Sequence, residues 1–223
     1  MERQTGQTSP CEAAAGVPST CACRHGFPQV FAMHPMPTTG RMNSGLVKLT
    51  CPLLVNALDA LEDQGHIQNL SAELENKSHW RERVKNIHAK HADVRKKLVT
   101  DAQREVLRNK LGDRASSSFM ESGVAGSTPD SLDVKCLHAW FGDFLFCSPE
   151  EQQQTSPFGR EIRNLLIESG TDVTGTQTCH AKCDPASMSV ASPPNPRNKQ
   201  RLKAQKEIAR RKRRKENRDQ EKT

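Results

Sequence analysis

One apolar stretch constrains the fold of this chain more than any other feature. It runs from Asp133 to Cys147 and reads Asp-Val-Lys-Cys-Leu-His-Ala-Trp-Phe-Gly-Asp-Phe-Leu-Phe-Cys. On a helix, four of its residues recur with the three-and-four spacing of one apolar face: Val134, Leu137, Phe141 and Leu145. The neighbouring arc is apolar as well, and a helix that is apolar nearly all round must be covered by other helices. The sequence therefore predicts a mainly α fold, a small helical bundle around a buried central helix at about residues 131–147.

Composition limits the size of that bundle. Only 34% of the 223 residues are hydrophobic and the mean hydropathy is −0.74, so we expect a core of roughly 130 to 150 residues between disordered ends. The predicted organisation is a disordered N-terminus (1–20), a helical domain (21–170) with a flexible insertion (113–130), an irregular cysteine-containing linker (171–196) and a basic tail (197–223).

Local signals predict the other elements. Two short apolar segments, Gln29–Met33 and Leu46–Leu49, are expected to pair as a β-hairpin. Thr50 is expected to cap a helix that has Pro52 in its first turn and ends at Gly65. Ser71 is expected to begin a long helix, followed by a shorter one from Thr100 or Asp101 to Gly112 and one from Pro157 to Gly170.

The long helix shows one apolar and one basic face. Its inward positions are spaced 4, 3, 4, 3, 4: Trp80, Val84, Ile87, His91, Val94 and Leu98. We expect His91 to be a hydrogen-bonded core histidine. The other face is interpreted as solvated and carries Arg81, Arg83, Lys85, Lys90, Arg95, Lys96 and Lys97; a ridge that contacts phosphates is the alternative.

The eight cysteines are interpreted as intracellular thiols. No run of about 18 apolar residues suggests a membrane span, and the N-terminus lacks the basic start and apolar region of a secretory signal. Without a secretory route, cysteines are expected as reduced thiols, metal ligands or redox groups rather than disulfides.

Four short motifs occur in an order that resembles a known family. They are Cys23-Arg-His-Gly-Phe-Pro-Gln-Val30, Thr50-Cys-Pro52, Val134-Lys-Cys-Leu-His-Ala139 and Pro157-Phe-Gly159. Over about residues 21–170 the chain resembles the domain of unknown function 501 family, found mostly in bacteria. The resemblance implies a small, mainly helical domain and no reaction. That family typically has histidines where this chain has Trp140 and Asp143, so a histidine-based site is not carried over, and the basic tail is outside the family pattern.

Thiols and one imidazole suggest a metal centre. The set Cys23, Cys51, Cys136 and His138 has the composition Cys3His, which suits zinc or an iron–sulfur cluster. Cys179 and Cys183 could join this set or replace one of its members. Cys136 and His138 would point about 200° apart on a regular helix, so both can bind one ion only at an irregular helix start.

Two other interpretations of these thiols remain. In the first interpretation, Cys51 and Cys136 are ordinary small buried residues. In the second, Cys51 at a helix N-terminus is a nucleophile with His138 or His25 as its base.

The tail carries the net charge of the chain. Residues 197–223 hold 13 Lys or Arg and 4 Asp or Glu, a net +9, and the rest of the chain has a net −2. The densest run is Arg210, Arg211, Lys212, Arg213, Arg214 and Lys215. Such a run is typical of nuclear localisation or phosphate binding. With no interleaved aromatic residue, base stacking and sequence specificity are not expected.

Two functions follow from these features. The first is a non-enzymatic helical domain whose tail binds nucleic acid, with RNA favoured, or a nuclear import receptor. The nucleus or nucleolus is the favoured location, and the cytoplasm is the alternative. The alternative is a metal- or cluster-binding protein, or a thiol-dependent enzyme. No motif specifies a reaction.

Overall fold

Seven α-helices and a three-stranded sheet form the described part of the chain. The structure is a computed structural model that describes Gln4 and residues 14–18, 21–37, 42–128, 130–148, 157–184 and 186. The basic tail and most of the expected N-terminal segment lie outside these residues. All elements below belong to one compact unit, Met1–Pro185.

The strands are β1 (Ala14–Gly16), β2 (Val30–Met33) and β3 (Val47–Leu49). The helices are α1 (Pro52–Asp63), α2 (His66–Asn76), α3 (Ser78–Leu98), α4 (Asp101–Leu111), α5 (Asp113–Met120), α6 (Leu137–Phe146) and α7 (Pro157–Glu168). Two short 3₁₀ turns, Val124–Gly126 and Ala181–Cys183, complete the described elements.

The sheet contains the predicted hairpin and one further strand. β2 and β3 pair antiparallel, with Val30 opposite Leu49 and Ala32 opposite Val47, so the hairpin is confirmed. β1 adds to the other edge of β2. Ala14–Gly16 fell within the segment expected to be disordered, and its three small residues carry no strand periodicity that would have revealed the pairing.

The predicted central helix is α6, and its burial is confirmed. Six of its ten residues are buried, and it packs against β2, β3, α1 and α7. Trp140, 1% exposed, meets Phe158 of α7 edge-on at 4.8 Å between ring centroids, and Phe158 in turn meets Trp80 of α3 at 5.5 Å. This aromatic row joins three helices. The helix is shorter than the predicted 131–147, since residues 131–136 form neither helix nor strand.

Several local predictions hold and two do not. Thr100 caps α4 with a capping box to Gln103, and Gly65, with φ 87°, follows the end of α1 in the left-handed conformation. Thr50 does not cap α1: the N-cap is Cys51, because the Thr50 hydroxyl donates to the Pro28 carbonyl at 2.5 Å. Ser71 begins no helix and lies inside α2, where its hydroxyl donates to the Ile67 carbonyl.

Two predicted boundaries also differ from the structure. Residues 113–128, within the expected flexible insertion, form α5 and a 3₁₀ turn in which Val124 is 2% exposed. Beyond residue 170, in the expected linker, Cys183 is 0% exposed and Val173 is 8% exposed. Both segments were misjudged because side chains of the domain bond their main-chain atoms, which composition cannot reveal: His88 accepts from the Val124 amide, and Gln29 donates to the Val173 carbonyl.

Candidate functional site

Three thiols converge beside the N-terminal strands. The Sγ atoms of Cys23, Cys179 and Cys183 all lie within 4.8 Å of one another, with Cys23 and Cys183 buried and Cys179 half-buried. Cys51 is the N-cap of α1 and is 1% exposed. Its thiol interacts electrostatically with all three of these thiols. We call Cys23, Cys51, Cys179 and Cys183 the thiol cluster.

The segment after α7 brings its two cysteines to Cys23 through main-chain hydrogen bonds. Arg24 N donates to the Gly175 carbonyl at 2.8 Å, and the Arg24 guanidinium donates to the Gln177 carbonyl at 3.0 Å. A Cβ at Gly175 would lie 3.1 Å from the Cβ of Cys23, and φ there is 67°. Glycine is therefore needed for this close approach.

Asp172 holds the same segment in shape. Its carboxylate accepts hydrogen bonds from the amides of Thr174, Gly175, Gln177 and Thr178, at 2.7 to 3.2 Å. Burial opposes the charge of this carboxylate, but the hydrogen bonds outweigh that effect and lower the pKa of Asp172 to about 2. An ionised Asp172 thus organises the turn that leads to Cys179.

Gln29 connects the three parts of the chain that carry the thiols. It is 2% exposed, and its amide donates to the Val173 carbonyl and accepts from the Cys21 thiol. The main-chain carbonyl of Gln29 accepts from the amides of Thr50 and Cys51. The start of β2, the start of α1 and the segment after α7 are therefore joined through one buried residue.

Burial and neighbouring thiols make Cys51, Cys179 and Cys183 hard to ionise. Burial, followed by the neighbouring thiols of Cys179, Cys23 and Cys51, raises the pKa of Cys183 to about 12. Burial also raises the pKa of Cys179 and Cys51, and it raises that of nearby Cys21 to about 11. A bound cation would reverse this balance, because it stabilises the thiolates that otherwise repel one another.

A second group of donors surrounds His138 at the start of α6. The Nδ1 atom of His138 lies 3.8 Å from the Cys136 Sγ and 3.1 Å from the Glu62 Oε1. On the other side of the ring, Nε2 lies 3.2 Å from the Val55 carbonyl and 3.7 Å from the Asp59 Oδ1. We call Asp59, Glu62, Cys136 and His138 the mixed cluster.

The mixed cluster depends on an irregular helix start. Cys136 is the N-cap of α6 with an extended backbone, φ −162° and ψ 120°, so its thiol reaches the ring of His138. The helix start is therefore irregular, which is the condition under which Cys136 and His138 can approach each other. Glu62 also accepts from the Leu137 amide at 2.9 Å, which joins the end of α1 to the first turn of α6.

The surroundings of His138 favour its charged, doubly protonated form. Burial lowers the pKa of the ring, but hydrogen bonding and charge from Cys136 and Glu62 outweigh it and raise the pKa to about 10. The ring is thus a cation among acidic groups.

His91 and Asp143 form a third buried polar contact. His91 Nε2 lies 2.6 Å from the Asp143 Oδ1, which agrees with the prediction of a hydrogen-bonded core histidine. The pair borders a largely apolar cavity of about 260 Å³ between α3, α6 and the hairpin. Asp143 thus faces α3, whereas Cys136 faces the end of α1.

The structure therefore divides the predicted Cys3His set between two places. Cys23 meets Cys179 and Cys183, with which Cys51 interacts electrostatically, whereas Cys136 and His138 meet Asp59 and Glu62. Sequence reasoning missed both carboxylates. The signal was their spacing in α1, where Val55, Asp59 and Glu62 share one face at four- and three-residue intervals. Arg210, Arg211, Lys212, Arg213, Arg214 and Lys215 lie outside the described residues.

These features define the class of protein: a small, mainly helical domain with a short antiparallel sheet and two clusters of soft and mixed donor atoms. No helix in the described part of the chain is long and apolar enough to cross a membrane.

Comparison with known proteins identifies the family. Residues 19–164 match the family model described as "Protein of unknown function (DUF501)", so the chain belongs to the domain of unknown function 501 family. No curated protein and no solved structure matches the chain. The matched region contains Cys23, Cys51 and the whole mixed cluster, whereas Cys179 and Cys183 lie beyond it.

Proposed function

We propose that this chain is a zinc-binding protein whose thiol cluster holds one structural Zn²⁺. The carrying observation is the convergence of three Sγ atoms, those of Cys23, Cys179 and Cys183, within 4.8 Å. Cys51 is the proposed fourth ligand, because it interacts electrostatically with all three of these thiols. Four thiolates and no exchangeable position are the donor set of structural zinc sites.

The distances suit a tetrahedral ion after a small contraction. Zn–S bonds of about 2.3 Å place neighbouring sulfurs about 3.8 Å apart. The three sulfurs already lie within 4.8 Å of one another, so rotation of the side chains can complete the geometry. The hydrogen bonds of Arg24, Gln29 and Asp172 support the frame in the way that outer partners support metal sites.

An iron–sulfur cluster and a redox-active thiol set are the competing interpretations of the same residues. Elemental analysis of the full-length chain, purified with reductant, separates them. We expect zinc, no visible absorbance, and loss of one zinc in Cys179→Ser and in Cys183→Ser. Cys147→Ser is the matched control, because Cys147 lies at the opposite end of α6 from Cys136 and outside the thiol cluster.

Three results would contradict the zinc proposal. Iron together with visible absorbance would indicate an iron–sulfur cluster in place of the zinc ion. A folded, metal-free chain would leave the thiols as structural or redox groups. Equal zinc contents in Cys183→Ser and Cys147→Ser would place the metal elsewhere.

A second function concerns the tail, and its charge of +9 over residues 197–223 supports it. We propose that this tail binds RNA through phosphate contacts, with nuclear import as a second role of the same basic run. Binding by Lys and Arg releases counterions, so affinity falls steeply with salt and depends little on sequence.

The test neutralises the densest run in the full-length chain. Replacing Arg210, Arg211, Lys212, Arg213, Arg214 and Lys215 by Gln should weaken binding to single-stranded RNA and flatten its salt dependence by roughly 0.7 per lost phosphate contact. Replacing six exposed bases of the helical domain by Gln is the matched control. An unchanged salt slope in the tail variant would refute the proposal, and nuclear accumulation of both variants would exclude the import role.

A further inference from the structure

We infer that the mixed cluster is a second divalent-cation site, in which Cys136, His138 and Glu62 bind Zn²⁺ and leave one position for an exchangeable ligand. This inference goes beyond the proposed function, because no residue is shared with the thiol cluster. The mixed cluster also has a different donor set from the thiol cluster, with one sulfur, one nitrogen and one carboxylate oxygen.

The donor atoms already stand at nearly the spacing of a tetrahedral zinc shell. With ordinary Zn–S, Zn–N and Zn–O bonds, the edges of such a shell are about 3.3 to 3.8 Å long. The Sγ of Cys136 lies 3.8 Å from Nδ1 of His138, and that Nδ1 lies 3.1 Å from Oε1 of Glu62. All three atoms fall within 4.8 Å of one another.

The hydrogen bonds on the far side of the ring prepare His138 for this role. Its Nε2 faces two acceptors, the carbonyl of Val55 at 3.2 Å and the carboxylate of Asp59 at 3.7 Å. Nε2 therefore keeps its proton, and Nδ1 becomes a ligand when the cation displaces the proton that Nδ1 shares with Glu62. A metal-binding histidine usually has such an outer acceptor, which selects the tautomer and orients the ring.

The chemistry of the cluster calls for a positive charge at this point. Nδ1, the thiol sulfur and the Glu62 oxygen converge, and two carboxylates flank one ring. The side chains of Glu62 and Asp59 are only 7% and 18% exposed, and partly buried carboxylates are costly unless they are compensated. The imidazolium of His138 supplies one positive charge, and a zinc ion that replaces its Nδ1 proton supplies two.

The site differs from the thiol cluster in its access to solvent. Cys136 is half-buried and the side chain of His138 is 21% exposed. Three protein ligands beside solvent are the arrangement of zinc sites that keep a water in the fourth position. The class of ligand expected there is water or a small anion.

Cobalt(II) titration of the full-length chain tests this inference, because the intensity of thiolate-to-cobalt charge transfer reports how many sulfurs bind each ion. Wild type should take up two ions, one with strong and one with weak charge transfer. Glu62→Gln and His138→Gln should each lose only the ion with weak charge transfer. Azide should shift the visible bands of that ion alone, since only it has an exchangeable position.

Matched variants separate this site from the thiol cluster. Cys183→Ser should lose the strongly absorbing ion and keep the azide-sensitive one. Asp59→Asn should weaken the azide-sensitive ion roughly tenfold without abolishing it, as expected for an outer partner. Cys136→Ser provides a further variant if His138→Gln does not fold, and it should remove the weak charge-transfer band.

Two results would overturn the inference. One is a wild type whose only bound ion is lost in Cys183→Ser and kept in Glu62→Gln, since His138 would then hold only a proton. The other is an ion that survives unchanged in Glu62→Gln and Cys136→Ser. If instead Cys183→Ser loses nothing and Glu62→Gln loses one ion, the thiol-cluster proposal fails and this one stands.

Discussion

Arg95 shows how far a single residue can depart from its sequence pattern. It belongs to the basic face predicted for the long helix, yet it is 0% exposed. Its guanidinium donates to the carbonyls of Asn43, Ser44 and Ser122 and lies over the ring of Phe119. Burial lowers its pKa to about 10, so it remains charged at neutral pH. Periodicity assigns a residue to a face but does not show which loops cover that face.

Removing the Arg95 guanidinium should therefore be costly. In Arg95→Met, buried carbonyls lose their donors, and we expect the free energy of unfolding to fall by about 3 kcal/mol. Lys97→Met, at an exposed position of the same helix, is the matched control and should change it by less than about 0.5 kcal/mol. Urea denaturation measures both. Equal effects would mean that the guanidinium contributes no more than a solvated charge.

His88 predicts a pH dependence of stability. It is 0% exposed, its Nδ1 accepts from the Val124 amide at 3.1 Å, and burial, with smaller effects of His91 and Lys135, lowers its pKa from 6.5 to about 4. Between these values the unfolded chain binds more protons than the folded one, so stability falls as the pH drops from 6.5 towards 4. The loss is on the order of 3 kcal/mol.

The matched measurement compares wild type with His88→Gln, which keeps a polar side chain but does not titrate. The variant should lack this part of the acid dependence, and the difference between the two urea-denaturation curves isolates His88 from the carboxylates. If wild type and His88→Gln differ in free energy of unfolding by the same amount at pH 7 and at pH 4, folding does not lower the pKa of His88.

At the scale of elements, the contact between α6 and α7 sets the position of the core. A Cβ at Gly159 would overlap the Cβ and ring of Phe144, so glycine is required for the two helices to approach. Gly142 provides the contrast within α6, since a Cβ there would meet Val47 Cγ1 at 3.4 Å in ordinary contact.

Gly159→Ala should therefore destabilise the domain by about 2 to 3 kcal/mol, because either a helix or a large aromatic ring must move. Gly142→Ala should be nearly neutral, since the added methyl contacts its neighbours without overlap and alanine favours a helix. Thermal or urea unfolding measures both. Similar costs for the two variants would contradict the steric explanation.

The elements also show where prediction from the sequence stops. The three-and-four periodicity of Val134 to Leu145 was enough to predict α6 and its burial, because a helix apolar on every side has no stable place at a surface. The helical structure of residues 113–120 was missed, since a short run of serines without an apolar face has little periodicity to read.

At the scale of the whole molecule, the thiol cluster joins distant parts of one compact unit. Cys23, Cys51 and Cys183 come from the N-terminal segment, the start of α1 and the segment after α7. A metal bound only by the folded state stabilises it by mass action. The proposed zinc should therefore stabilise the entire domain rather than one loop.

Chelation tests that expectation. With reductant present, a strong zinc chelator should lower the free energy of unfolding by about 3 kcal/mol relative to protein with free zinc at 100 times its dissociation constant. Cys183→Ser should respond much less than wild type or Cys147→Ser. A melting temperature that is independent of chelator in wild type would argue against a structural metal.

The sequence by itself determined the helical class, the central helix, the hairpin and several helix ends, because periodicity and caps are local properties of the chain. Only the tertiary structure decided which donors meet. It paired Cys23 with Cys179 and Cys183, and Cys136 with His138 and Glu62, through contacts between residues up to 160 positions apart. Ligand convergence depends on how elements pack, and no spacing along the chain encodes it directly.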